Sequence, residues 1–122
     1  MTVADLMALA DALATNALPM DIKLFELNRL EQRISVDTLG QDPEELAPYT
    51  QEEPEAELYL EERYRDVYLY WITSMIFFHQ REMEDYENQR AMFEAAWSRF
   101  EREACMEMDR QTACGSAADS GS

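Results

Sequence analysis

The chain has 122 residues, of which 26 are acidic and 10 basic, giving a formal net charge of −16 and room for one domain but not two. Hydrophobic residues make up 47%, with five Phe, six Tyr and two Trp, which is ample for a core and excludes global disorder. The charge repels nucleic-acid phosphates and anionic membranes, and three glycines leave no glycine-rich phosphate loop of the Walker or Rossmann kind.

The opening Met-Thr-Val-Ala-Asp has no basic n-region, so no secretory signal is expected. Thr2 and Asp5 read as a hydroxyl cap and a first-turn carboxylate. They start a helix whose Leu6, Leu9, Ala10 and Leu13 share a face, and which ends at Thr15-Asn16 and Pro19. A second helix begins near Met20 or Asp21. Its stripe is Lys23, Leu27, Leu30 and Ile34, widened by Leu24 and Phe25, and Gly40 stops it as a left-handed cap.

Residues 41–62 break the helical pattern. They hold Pro43, Pro48 and Pro54, nine carboxylates (Asp42, Glu44, Glu45, Glu52, Glu53, Glu55, Glu57, Glu61 and Glu62) and no basic residue until Arg63. Prolines at this spacing forbid a continuous helix. Leu58-Tyr59-Leu60 could form a short β-hairpin with Tyr49-Thr50-Gln51.

Asp66 reads as the N-cap of a third helix running to about Gln80. Tyr64, Tyr68, Trp71, Met75 and Phe78 recur with helical period, and Val67, Ile72, Ile76 and Phe77 make it apolar nearly all round. Such a helix is either central or covered by neighbouring subunits. Its apolar run, Val67 to Phe78, is too short to span a bilayer. His79-Gln80-Arg81-Glu82 leads into a fourth helix from about Glu82 to Met106, striped by Tyr86, Phe93, Trp97 and Phe100. The expected architecture is an all-α, small antiparallel bundle of about four helices with an acidic irregular loop between helices 2 and 3. Residues 1–110 form the helical domain, and 111–122, ending Gly-Ser-Ala-Ala-Asp-Ser-Gly-Ser, read as a flexible C-terminal tail.

Catalytic chemistry finds little to build on. His79 is the lone histidine, at a helix end where capping or interfacial roles are commoner. Cys105 and Cys114 lie in largely acidic surroundings that raise a thiol pKa, so both read as inert reduced thiols. The paired acids lack the alternating oxygen ligands and turn glycine of a calcium loop. They read as a solvated loop, or compatibly as a docking surface for a basic partner. Trp71, Trp97, Phe93, Phe100 and Met75 read as packing residues, so no catalytic residue, metal or cofactor is expected.

Leu27-Asn28-Arg29-Leu30-Glu31-Gln32-Arg33-Ile34 resembles the second-helix motif of small phage head–tail connector (adaptor) proteins. Asp66-Val67-Tyr68-Leu69-Tyr70-Trp71 looks like that family's Asp-x-hydrophobic-Tyr-x-x-Trp entry to helix 3. Ile76, His79 and Glu82 are similar to its helix junction, and Tyr86, Asn88, Met92, Phe93, Trp97 and Phe100 to its fourth helix. The likeness covers residues 1–104 and departs in two places. Gln80-Arg81 stands where the family has Asn-Gly, which suggests a kink or a less sharp turn. Glu61-Glu62-Arg63-Tyr64 replaces a proline-rich approach to helix 3.

The resemblance implies a structural virion protein at the neck between capsid and tail, assembled in the host cytoplasm. It would form a dodecameric homo-oligomer ring between the portal protein and a tail-side neck or tail terminator protein, with packaged DNA passing through without specific binding and no membrane partner. The segment after about Arg102 would order on docking against the portal. Tyr68, Trp71, Met75, Arg102 and Met106 are the expected subunit or partner interface. Glu52, Glu53, Glu55 and Glu57 are the expected channel-facing acids, repelling the duplex. The alternative is an acidic helical binding protein: a DNA-mimic inhibitor, or a regulator that sequesters a basic partner.

Overall fold

A computed structural model describes residues 1–38, 40, 42 and 47–115, except the side chains of residues 37, 38 and 108–115. Among the described residues it is an all-α bundle: α1 (Val3–Leu13), α2 (Met20–Gln32), α3 (Arg65–His79) and α4 (Met83–Gly115). α2 widens into a π-helical segment, Arg33–Thr38, and a 3₁₀ turn, Glu62–Tyr64, leads into α3. No described helix is long and apolar enough to cross a membrane.

Polar side chains account for the helix ends. Thr2 and Asp5 form a reciprocal capping box: the Asp5 amide donates to Thr2 Oγ1 at 3.1 Å, and the Thr2 amide to Asp5 Oδ2 at 3.3 Å. The next orphan donors of α1 are met by the acidic segment, since Val3 and Ala4 donate to the carbonyls of Ala56 (2.9 Å) and Pro54 (2.8 Å). Asn16 builds the turn after α1, donating to Asp11 and to the Ala14 carbonyl while accepting from the Leu18 amide. Gly40 takes a φ of +70° and donates to the Val36 carbonyl, the left-handed stop expected of it.

The α3–α4 hairpin is pinned by ring pairs spaced seven residues apart on each helix. Tyr64 meets Phe100 (5.2 Å between centroids), Trp71 meets Phe93 (5.0 Å) and Phe78 meets Tyr86 (5.4 Å). A seven-residue repeat on both partners keeps one seam facing the other along the hairpin. α1 and α2 lie against α3, running respectively parallel and antiparallel to it: Gln80 reaches the Thr15 carbonyl, and Trp71 Nε1–H donates to the Glu26 carbonyl at 3.0 Å. α3 is thereby central, with Val67 to Trp71 and Ile72 to Ile76 buried apart from a half-exposed Tyr70. Of the two explanations for its all-round apolarity, the chain itself supplies the cover.

Several details differ from the sequence expectation. Both candidate flanks of α1 are apolar, and the one that packs is Val3, Met7 and Ala14 beside Leu6 and Ala10, leaving Leu13 exposed and Leu9 at the rim. Phe25 of α2 points outward, under Arg29. Asp66 sits in the first turn of α3 and Tyr64 at its N-cap, because the 3₁₀ turn begins the coil earlier. The expected hairpin of 58–60 on 49–51 is absent among the described residues. Glu57 instead makes an isolated antiparallel bridge with Thr2, and Leu58 donates to the Met1 carbonyl. α4 continues past Met106, where the fourth helix was expected to end, to Gly115. Pro43, Glu44, Glu45 and residues 116–122 lie outside the described residues.

The junction between α3 and α4 is a tight turn, not a kink. Arg81 adopts φ +61°, its amide donates to the Phe78 carbonyl, and the Glu82 amide donates to the Phe77 carbonyl. These two bonds make a Schellman motif with arginine in the left-handed position. An L side chain there is strained by about 1–2 kcal/mol, and glycine relieves it at some entropic cost in the unfolded chain. Arg81→Gly is therefore expected to stabilise the protein by about 0.5–1 kcal/mol in urea unfolding; a loss of stability would contradict the turn geometry.

Candidate interaction surface

α2 carries two different polar faces. On one, Asn28 and Glu31 clamp the acidic segment. Asn28 brackets the backbone of Tyr49, accepting from its amide at 2.9 Å and donating to its carbonyl at 3.2 Å. Glu31, 7% exposed, accepts from the hydroxyls of Tyr49 and Tyr68 (the latter at 2.7 Å) and from the Tyr59 amide at 3.2 Å. Tyr68 in turn accepts from the Leu60 amide at 2.9 Å. Burial, with the Glu31 carboxylate beside them, raises the pKa of both hydroxyls above the ordinary tyrosine value.

Next to this face, the buried Glu26 carboxylate accepts from Arg29 Nη1 at 2.9 Å and lies 3.1 Å from His79 Nε2. The lone histidine thus ties the end of α3 to α2. Lys23, 6% exposed, reaches Asp11 at 2.8 Å and joins α1 to α2. Burial pushes the Asp11 carboxyl up, but hydrogen bonds from Lys23 and Asn16 outweigh it and hold the group below its ordinary value.

Beside the second face of α2, three of the chain's few cations, Arg29 and Arg33 from that helix and Arg90 from α4, lie over aromatic rings. Arg33 lies 4.3 Å from the Trp97 ring centre, Arg90 lies 5.4 Å from Trp71 and 5.5 Å from Phe93, and Arg29 lies 5.9 Å from Trp71. Guanidinium over an aromatic face is favourable, and more so when partly desolvated. A groove of about 310 Å³ opens here, lined by Arg29, Leu30, Gln32, Arg33, Val36 and Trp71. Arg29 and Arg90 also pair with Glu26 and Glu94, whereas Arg33 has no carboxylate partner among the described residues. The sequence offered little sign of this cluster: Arg29 and Arg33 share a helical face, but Arg90 comes from a distant helix.

The expected interface residues divide. Tyr68 (1% exposed), Trp71 (6%) and Met75 (7%) belong to the core of the bundle, because α1, α2 and α4 together cover α3. Their side chains leave almost no area for a neighbour, beyond the edge that Trp71 presents to the groove. Arg102 and Met106 are exposed on α4, Arg102 between and Met106 beyond the residues, Phe100 and Glu103, that Tyr64 at the N-cap of α3 contacts. Glu52, Glu53, Glu55 and Glu57 are exposed. Glu57 is occupied, however, since its carboxylate lies 3.2 Å from the amino-terminal ammonium. Glu52, Glu53 and Glu55 make no ion pair among the described residues. Cys105 is a free, exposed thiol, and the side chain of Cys114 lies outside the described residues.

Comparison of the chain with protein-family models, with curated proteins and with solved structures returned no match.

Proposed function

We propose that this chain is a head–tail connector subunit, forming a ring between portal and tail at the neck of a phage particle and extending the DNA channel. One observation carries the reading. The residues that bear the resemblance are those that bond the bundle together: Asn28 and Glu31 to Tyr49 and Tyr68, and Trp71 and His79 to Glu26. A likeness concentrated on such a framework is a likeness of fold logic, not of scattered letters. The acid excess supports the same reading, since a wall that repels the duplex lets DNA pass without adhesion. Exposed apolar side chains on separate elements, Leu13 on α1 and Met92 on α4, suit the unlike faces of a heterologous ring contact.

The test is electron microscopy of particles from the phage or prophage that encodes the chain, with and without its gene. A collar of copies between capsid and tail, and tailless heads that lose DNA in the deletion, are the expected results. Copies located elsewhere, or intact tailed particles without the gene, reject the proposal. Tight binding to a nucleic-acid enzyme in place of a portal would favour the acidic-inhibitor alternative.

A further inference from the structure

We propose that the arginine–tryptophan groove of one copy receives the Glu52-Glu53-Pro54-Glu55 stretch of a second copy, making the subunit boundary an acid-into-base contact. Choosing a second copy as the occupant rests on the ring reading above.

Charge complementarity carries the argument. In a chain of net charge −16, Arg29, Arg33 and Arg90 converge over Trp71, Phe93 and Trp97. Arg29 is 55% exposed, and a guanidinium with one carboxylate partner keeps donors free. The complementary group is on the same chain. Glu52, Glu53 and Glu55 stand exposed around the exposed Pro54 and pair with no cation among the described residues. Asn28 fixes Tyr49, just ahead of this stretch, on the face of α2 next to the one that carries Arg29 and Arg33. Ala4 and Val3 at the start of α1 bond the carbonyls of Pro54 and Ala56, and no described ion pair joins the stretch to the groove within the chain. Donor and acceptor surfaces on different faces of one subunit make a head-to-tail contact, the kind that closes a ring.

Chemistry favours this occupant over a phosphate backbone. Two guanidinium groups, Arg29 and Arg33, and the apolar Leu30, Val36 and edge of Trp71 line the groove, which suits a short stretch of carboxylates around a proline, whereas a duplex would have to press its whole charged backbone against an acidic protein. Long-range repulsion between copies is largely screened at physiological salt, where the Debye length is about 8 Å, while pairs in direct contact persist. On this geometry Glu52, Glu53 and Glu55 serve the boundary between copies, and repulsion of DNA falls to other acids.

Intermolecular paramagnetic relaxation tests it, because the method detects fleeting contacts and needs no stable ring. A nitroxide on Gln51→Cys, with Cys105 and Cys114 replaced by Ser, is mixed at physiological salt with unlabelled-spin, ¹⁵N-labelled chain. Selective broadening of the Trp71 and Trp97 indole and Arg29 and Arg33 Nε signals is expected. Reversing Glu52, Glu53 and Glu55 to Arg on the spin-labelled chain should abolish it, and adding Arg29→Glu and Arg33→Glu to the observed chain should restore the broadening of the two indole signals. The three loop changes touch no core residue, so the loss is readable even if the arginine variants fold poorly. Absence of broadening, or broadening centred on Met92 or Met106, overturns the proposal while leaving a ring built on another face. Broadening in the groove combined with particles lacking the collar would instead sink the ring reading and keep the contact.

Discussion

Glu31→Ala is expected to cost about 3–5 kcal/mol, because hydrogen bonds to a charged acceptor contribute roughly 1.5–3 kcal/mol each and two buried or half-buried hydroxyls lose theirs at once. Tyr68 is the more severely affected. Its hydroxyl is buried and has Glu31 as its described acceptor, at 2.7 Å. Tyr49 is half-buried, so water can replace part of what it loses. Glu31→Gln should lie between, keeping one acceptor oxygen but setting an amide N–H₂ against donors. Urea unfolding of both variants measures the cost, and hydrogen exchange at Tyr49, Tyr59 and Leu60 should speed up selectively. A loss near 1 kcal/mol would show that the Thr2–Glu57 bridge and the Asn28 clamp hold the acidic segment without Glu31.

The same cluster sets the alkaline limit of stability. With its pKa raised by burial, the Tyr68 hydroxyl stays protonated when the unfolded chain's tyrosine ionises above pH 10. The native state then binds more protons than the unfolded state, so stability falls as pH rises past 10, by about 1.4 kcal/mol per pH unit for this group. Tyr68→Phe should flatten that slope at the expense of stability near neutrality.

Helix number, order and most boundaries were legible because the sequence reports them through local signals. Thr2 and Asp5 cap α1, Lys23, Leu27, Leu30 and Ile34 mark the buried stripe of α2, and Gly40 takes a positive φ. What was not legible depends on partners distant in sequence. Nothing local distinguishes Leu9 and Leu13 from Val3 and Met7, since α1 is apolar on both flanks and only its packing against α3 chooses. Arg81 gave no sign of a left-handed residue, because only the pair of carbonyls behind it demands one. The acidic segment was read by its charge, whereas it is held by its tyrosine and backbone groups. Carboxylates on α2 were the missed signal: Glu26 and Glu31 fall on the buried side of an otherwise apolar stripe, where an acid must find donors. The aromatic stripe of α3 suggested an interface for a similar reason, as periodicity reveals that a face is covered but not by which chain.

Phe93→Ala should cost about 3–5 kcal/mol, the usual range for removing a fully buried aromatic ring without collapse of the cavity. Phe93 is 0% exposed and lies 5.0 Å from the Trp71 ring and 5.8 Å from the Trp97 ring, with Arg90 at 5.5 Å. Removing it therefore leaves both tryptophans without a neighbour on one side, and the emission of the only two indoles in the chain should change together. Phe93→Leu, which keeps much of the volume, should cost about 1–2 kcal/mol. Met92 provides the control in the next position. It is 47% exposed at the rim of a groove it lines with Tyr70 and Val67 of α3, and Met92→Ala should cost no more than about 1 kcal/mol. The contrast between adjacent residues reads the rotation of α4 against α3 directly. Equal costs at 92 and 93 would mean that the seven-residue seam of rings is not the one that packs. The groove beside it, lined by Arg29, Arg33 and Trp71, would then lose the packing that supports Trp71 as well.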